Sequence, residues 1–303
     1  MKKSSKGLLY IVFVFIGLAI LLYPTISNRW NQYRSQRLLS SYKEKVEKTE
    51  DTKIKTILEE AKAYNKTLNE PSVPDAFSIR EGIKDEVYEG LLNVNADGLM
   101  GYVDIPTIEA ELPLYHYTVE EVLQKGVGHL HGSALPVGGV GTHSVVSAHR
   151  GLPSAKLFSD LNLLQEGDHF YYRILGQTFA YEVDQILTVK PEQVESLSAV
   201  IGKDYSTLVT CTPYGINTER LLVRGHRIDY QEQVYEEDRQ NISTNTQHLK
   251  AEILSALAGL LVALLVLLIY RYKTKKTKKQ LKKHAKKQPK KQTEDPLEEP
   301  AEE

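Results

Sequence analysis

Thr207-Leu208-Val209-Thr210-Cys211-Thr212-Pro213-Tyr214-Gly215-Ile216-Asn217-Thr218-Glu219-Arg220-Leu221-Leu222-Val223-Arg224-Gly225 contains the only cysteine of the 303-residue chain. Thr207 to Thr210 reads as a strand, Pro213, Gly215 and Asn217 mark a loop, and Leu221 to Val223 reads as the next strand. If the two strands pair antiparallel, Cys211 at the end of one faces Arg220 at the start of the other, across the mouth of the loop. A thiol beside a fixed cation favours the nucleophilic thiolate. A lone cysteine is by default a small buried hydrophobe; the strand end, the turn and the arginine reverse that weighting here.

Working outward, short β-rich runs begin at Met100. Strands are expected at Gly101–Ile105, Leu112–Tyr117, His143–Ala148, His169–Ile174, Phe179–Val189, Thr207–Cys211 and Leu221–Arg227. Turn residues separate them: Pro136, Gly138-Gly139, Gly151-Leu152-Pro153 and Gly167-Asp168. Short helices are expected around Val119–Lys125, Ala155–Leu161 and Gln193–Val200. Many strands with short connections and little helical crossover predict a mostly β fold closed, or nearly closed, into a barrel.

Charge is unevenly placed. Gly7 to Tyr23 is a charge-free apolar run preceded by Lys2, Lys3 and Lys6, and Ile253 to Tyr270 is a second run followed by Arg271. Both are long enough to span a bilayer, the first with the uncharged residues up to Ser27. The first lacks a small-x-small cleavage pattern, which predicts an uncleaved anchor. Twelve Lys or Arg residues between Arg271 and Lys291 follow the second run, so both termini are expected in the cytoplasm and the segment between the spans outside. With +3 on residues 1–27 and +6 on residues 271–303, a whole-chain charge of −1 leaves −10 for residues 28–270. An acidic exported domain is a poor partner for nucleic acid; the basic tail is read as a contact with anionic lipid. One cysteine cannot form an internal disulfide, so an exported one is either paired between molecules or reactive.

A cysteine nucleophile needs a histidine close in space. His149 ends the run Thr142-His143-Ser144-Val145-Val146-Ser147-Ala148-His149-Arg150-Gly151, but by alternation His143 shares its face, so the pattern leaves both open. This run, the stretch Gly128-His129-Leu130-His131-Gly132-Ser133-Ala134-Leu135-Pro136-Val137-Gly138-Gly139 before it, and Thr207 to Gly225 after it resemble the sortases, in particular the pilus-assembling class C enzymes. The resemblance covers roughly Leu92 to Tyr230 and extends to the two-anchor layout. It implies an eight-stranded sortase-type β-barrel and a catalytic Cys-His-Arg set that falls on Cys211, His149 and Arg220. It also implies cleavage of a Leu-Pro-x-Thr-Gly-like sorting signal between Thr and Gly through a thioacyl enzyme, with transfer to a pilin lysine. An N-terminal lid built on Asp-Pro-aromatic in that class falls on Asp75-Ala76-Phe77, where Ala76 stands in place of the usual proline.

The expected organisation is a cytoplasmic N-terminus (1–6), an anchor (7–27), a helical extension (28–69), lid and linker (70–91), a sortase catalytic domain (92–230), a linker (231–252), a second transmembrane helix (253–270) and a cytoplasmic tail (271–303), basic and then acidic. Pilin subunits and membrane lipid are the expected partners, with no cofactor and no metal. Competing readings are a zinc hydrolase on His129, His131, His143 and His149, a membrane-tethered cysteine protease that releases peptides to water, and a non-catalytic surface scaffold.

Overall fold

The computed structural model describes residues 5–68, 85–240 and a few positions between 254 and 277. Asp75, Phe77 and the body of the expected second span lie outside the described residues. The chain divides into two units, Met1–Thr246 and Gln247–Glu303. In the second, Leu254, Leu260 and Leu261 are helical with exposed side chains.

Eight strands close the barrel: β1 (Leu99–Ile105), β2 (Ala110–His116), β3 (Val127–His129), β4 (Thr142–Ser147), β5 (His169–Ile174), β6 (Gln177–Val189), β7 (Asp204–Thr212) and β8 (Glu219–Ile228). Their order is β1-β2-β3-β4-β7-β8-β6-β5, with β5 returning to β1. β2–β3 and β4–β7 are parallel pairs and the others antiparallel. Alternation along each strand separates two apolar sets. Val146, Leu208, Leu221 and Val223 join the main core with Phe170, Tyr172 and Tyr181. Val145, Val209 and Leu222, on the other face, form a smaller cluster with Leu130 and Leu197, against which Leu187, Val189 and Val194 pack.

β3 is three residues long and had no strand signature in the sequence. Gly128 is required at its centre, because a Cβ there would lie 2.3 Å from the Tyr117 carbonyl oxygen.

The helical extension is two helices, α1 (Ser5–Glu47) and α2 (Asp51–Thr67). α1 runs unbroken from the expected anchor into the extension. It buries Leu39, Tyr42 and Val46 at helical spacing, and the Tyr42 hydroxyl donates to Met100 O and accepts from Leu175 N at 2.9 Å each. The Asn65 amide of α2 pairs with the backbone of Leu135 at both its oxygen and its nitrogen. Side chains of residues 5–12 and of Val14 lie outside the described ones, and among the described residues no helix is long and apolar enough to cross a membrane.

Other elements depart from expectation. No helix forms over Ala155–Leu161. Ser159 N donates to Lys156 O and Leu161 N to Phe158 O, three residues back where an α-helix reaches four, and Leu157 has a left-handed φ of 39°. A 3-10 turn follows at Leu161–Leu163, and another replaces the helix expected at Gln193–Val200. The other helices among the described residues of the first unit are α3 (Glu86–Gly90), α4 (Glu120–Leu123) and α5 (Glu232–Gln240). α5 lies inside the stretch read as a linker. Tyr235 donates to Asp104, and Asp238 binds both His169 and Tyr171, polar contacts that leave no periodic apolar trace.

Candidate active site

The site is built from the ends of three adjacent strands. β4 and β7 run parallel in register from Thr142↔Asp204 to Ser147↔Val209. The pairing outlasts β4: Ala148 N donates to Val209 O, and Thr210 Oγ1 donates to Ala148 O at 2.8 Å. Carried two residues past Ser147, that register brings His149 level with Cys211. On the far side of β7, Cys211 pairs with Arg220 of β8. Directly opposed side chains sit roughly 4.5–5.5 Å apart at Cβ, so histidine, thiol and guanidinium form one row across β4, β7 and β8. The cross-ladder pairing expected from the sequence is the one observed.

The row lies on the face of the smaller apolar cluster. Val209 is two residues before Cys211, Leu222 two after Arg220 and Val145 four before His149, and Val189 of β6 is the partner of Arg220. A half-exposed thiol therefore stands at the head of an apolar floor, open to solvent on one side.

Each member is held locally. His149 Nε2 lies 3.2 Å from Oε2 of Glu120, at the start of α4, and its carbonyl closes the 149–158 loop. The hydrogen bond from Gln124, and after it His149, hold the Glu120 carboxyl below its ordinary range. Arg220 Nη1 reaches the carbonyls of Asn217 and Glu219. Arg150 ties the two loops together: its guanidinium donates to Thr212 Oγ1, Ser159 O and Asn162 Oδ1, and it lies 5.8 Å from the Tyr214 ring centre. Gly151, at φ 79°, admits that ring; a Cβ there would be 3.1 Å from it.

The competing histidines go elsewhere. His143 is buried, with Nδ1 2.9 Å from Ser198 O and Nε2 2.7 Å from Thr207 Oγ1, and burial pulls its pKa down to about 4. His129 is buried between Tyr88 and Ala134 O and is pulled down to about 3 by the same cause. His131 Nε2 meets Asp85. Of the four histidines of the zinc reading, His129 and His131 adjoin through Tyr88 and Asp85 while His143 and His149 are engaged elsewhere, and among the described residues no three His, Cys, Asp or Glu side chains are grouped to hold a metal ion.

Comparison with known proteins identifies the domain. The model of the Sortase domain matches residues 103–228. The crystal structure of sortase C1 from Streptococcus agalactiae is 48% identical, with a TM-score of 0.59 over 64% of this chain and 100% of that one. This chain belongs to the sortase family, among its class C members. Sortase C from Streptococcus pneumoniae is 43% identical, with a TM-score of 0.60 over 65% of this chain and 98% of that one. Sortase A of Streptococcus agalactiae is more distant, 26% identical over 72% of this chain and 82% of its own length.

As a sortase, the protein is a cysteine transpeptidase. Two polar residues beside the candidate site escaped sequence reasoning. Glu120 stands 29 positions from His149 and is brought to it by the β2–β3 connection. Arg150 adjoins His149 in sequence, but its bond to Thr212 exists only once β4 and β7 are paired.

Proposed function

We propose that Cys211, His149 and Arg220 carry the transpeptidation, a reading supported above all by their row across three adjacent strands. The Cys211 thiolate attacks the Thr carbonyl carbon of a Leu-Pro-x-Thr-Gly-like sorting signal. Arg220 stabilises the oxyanion; the Thr–Gly C–N bond breaks, and His149 gives its proton to the departing glycine amine. A pilin lysine amine then attacks the thioester. His149 takes a proton from it, the C–S bond breaks, and the Cys211 thiolate is regenerated as the new amide joins two subunits. The guanidinium beside the thiol favours the thiolate each cycle returns to. The apolar floor of Val209, Leu222, Leu187 and Val189 suits the Leu-Pro part of the signal. The crystal structure of the Streptococcus pneumoniae relative bears on pilin substrate specificity in that enzyme, which supports pilins as the protein substrates here.

The proposal includes the domain layout given above, with residues 7–27 and 253–270 as membrane spans, the barrel on the outer surface and Asp75 and Phe77 as a lid over the thiol. The charge-free run of sequence from Gly7 to Ser27 has the length of a span, and Phe13, Phe15, Ile16, Ile20 and Leu21 within it are exposed, which supports the first span. Intact mass of the protein incubated with a Leu-Pro-x-Thr-Gly peptide tests the chemistry. The expected result is an acyl adduct on Cys211, discharged by a lysine-bearing pilin; an unmodified protein overturns the assignment. Protease added to intact cells should digest 28–252 and spare both tails.

A further inference from the structure

α1 carries more than an anchor, because its contacts specify which end of the barrel the anchor approaches. Ser27 Oγ donates to Ser154 O at 3.1 Å, Asn31 Nδ2 donates to the same oxygen, and Asn28 Oδ1 accepts from Lys156 N at 2.9 Å. These three α1 residues lie within one turn of Ser27, where the expected span ends. The loop they grip is the one closed by Phe158 N on His149 O, at the catalytic pole. Tyr42, about 22 Å further along α1 at 1.5 Å per residue, accepts from Leu175 in the β5–β6 turn. That turn belongs to the opposite pole, since β6 pairs Ala180 with Ile228 near one end of β8 and Val189 with Arg220 near the other. α1 therefore runs the length of the barrel, with its apolar end at the catalytic pole.

The surface there has the composition of a membrane interface. Trp30 (62% exposed) and Tyr33 (53%) follow the apolar run on the side of α1 away from the barrel, among Arg29, Arg34 and Arg37. On the barrel side, the β7–β8 loop projects Tyr214 (62% exposed) and Ile216 (67%), and the Tyr214 ring lies over Gly151 in the gripped loop. We propose that the catalytic pole is held against the outer surface of the bilayer, with Tyr214, Ile216 and the 151–154 turn seated in the lipid headgroup layer. The partner of this surface is the membrane itself, and the active-site row opens beside it. A sorting signal still attached to a membrane-embedded segment would then arrive at the thiol from the lipid side. The inference rests on the anchor reading of residues 7–27 and adds the orientation of the site.

Trp30 is the only tryptophan of the chain, which provides a direct test. The full chain is reconstituted in phosphatidylcholine–phosphatidylglycerol vesicles whose acyl chains are brominated near the carbonyl end. Trp30 reports the anchor; in a Trp30→Phe background, Ile216→Trp and, separately, Tyr214→Trp report the catalytic pole, and Ile201→Trp reports an exposed site on the opposite pole. Bromine should quench both catalytic-pole probes to an extent comparable with Trp30 and leave Ile201→Trp unquenched, as expected for side chains within ~5–10 Å of the headgroup–acyl boundary. If Trp30 is quenched while Ile216→Trp and Tyr214→Trp are not, the anchor stands and the orientation is overturned; the exposed loop then faces protein or open solvent. If the chain fails to float with vesicles and Trp30 is unquenched, the anchor reading fails and the orientation falls with it.

Discussion

His143 and His149 lie six residues apart on one face of the same run of chain, and the barrel gives them opposite surroundings. His143, near the start of β4, is level with Tyr205, almost wholly buried, with both ring nitrogens engaged by Ser198 and Thr207. His149, past the end of the same strand, is level with Cys211, partly open to solvent, and meets an exposed carboxylate. Residue type and face are the same; depth and saturation of partners differ. A histidine sealed in the interior is held neutral by desolvation, whereas one at the strand end remains within reach of a substrate.

The largest expected effect tests the reactive end. Cys211→Ala should abolish acyl transfer with the melting temperature unchanged, measured by thioester mass and polymer formation; any retained transfer breaks the assignment. His149→Ala and Arg220→Ala should each lose on the order of 100-fold or more in kcat/KM, the scale for removing an acid–base group or an oxyanion donor.

Substitution at the buried end should invert the pattern. His143→Ala strands the Ser198 carbonyl and the Thr207 hydroxyl, costing about 1–3 kcal/mol on denaturant unfolding while turnover per folded molecule persists. A loss of turnover beyond the loss of folded protein would erase the contrast.

Acidity sharpens the same comparison. His129 and His143 are depressed in the fold, to about 3 and about 4, from an ordinary value of 6.5. Below about pH 6.5 the unfolded chain binds protons the native chain refuses. Their contribution is therefore complete above that value and falls as pH drops toward the folded pKa values, by up to about 1.4 kcal/mol per unit for each group. Melting temperature should decline between pH 7 and 4.5, and His143→Gln should flatten that decline; an unchanged slope would show that His143 does not titrate on unfolding.

The smallest effect concerns the contact that orients His149. Glu120→Gln replaces an exposed carboxylate–imidazole contact on the scale of ~0.2–1 kcal/mol, so acylation should fall no more than about fivefold. The loss should lie in kcat with KM unchanged, and Glu120→Asp should partly restore it. A wild-type kcat in Glu120→Gln would make Glu120 a bystander.

Much of this was legible in the chain. Period-two patterning and turn residues placed seven of the eight strands, and the strands around Cys211 pair antiparallel, which sets it opposite Arg220 as expected for that pairing. β3 escaped because three residues carry no periodicity. The missing helix at Ala155–Leu161 escaped because the stretch folds into turns three residues long around a left-handed Leu157, a conformation that residue type does not announce. α5 escaped because polar contacts hold it.

By itself the sequence determined the thiol and, given antiparallel pairing of the two strands that flank one loop, its cross-strand arginine, since a hairpin joins neighbours in the chain. It also determined the apolar runs and the charges that flank them. Choosing His149 over His143 by physical means required the parallel pairing of β4 with β7, a contact across 62 residues that no local pattern encodes. The same holds for Glu120 against His149, for Arg150 against Thr212, and for the grip of α1 on the loop beside the site. Each joins segments far apart in the chain, and such neighbours exist only once the barrel has closed and the helix has docked along it.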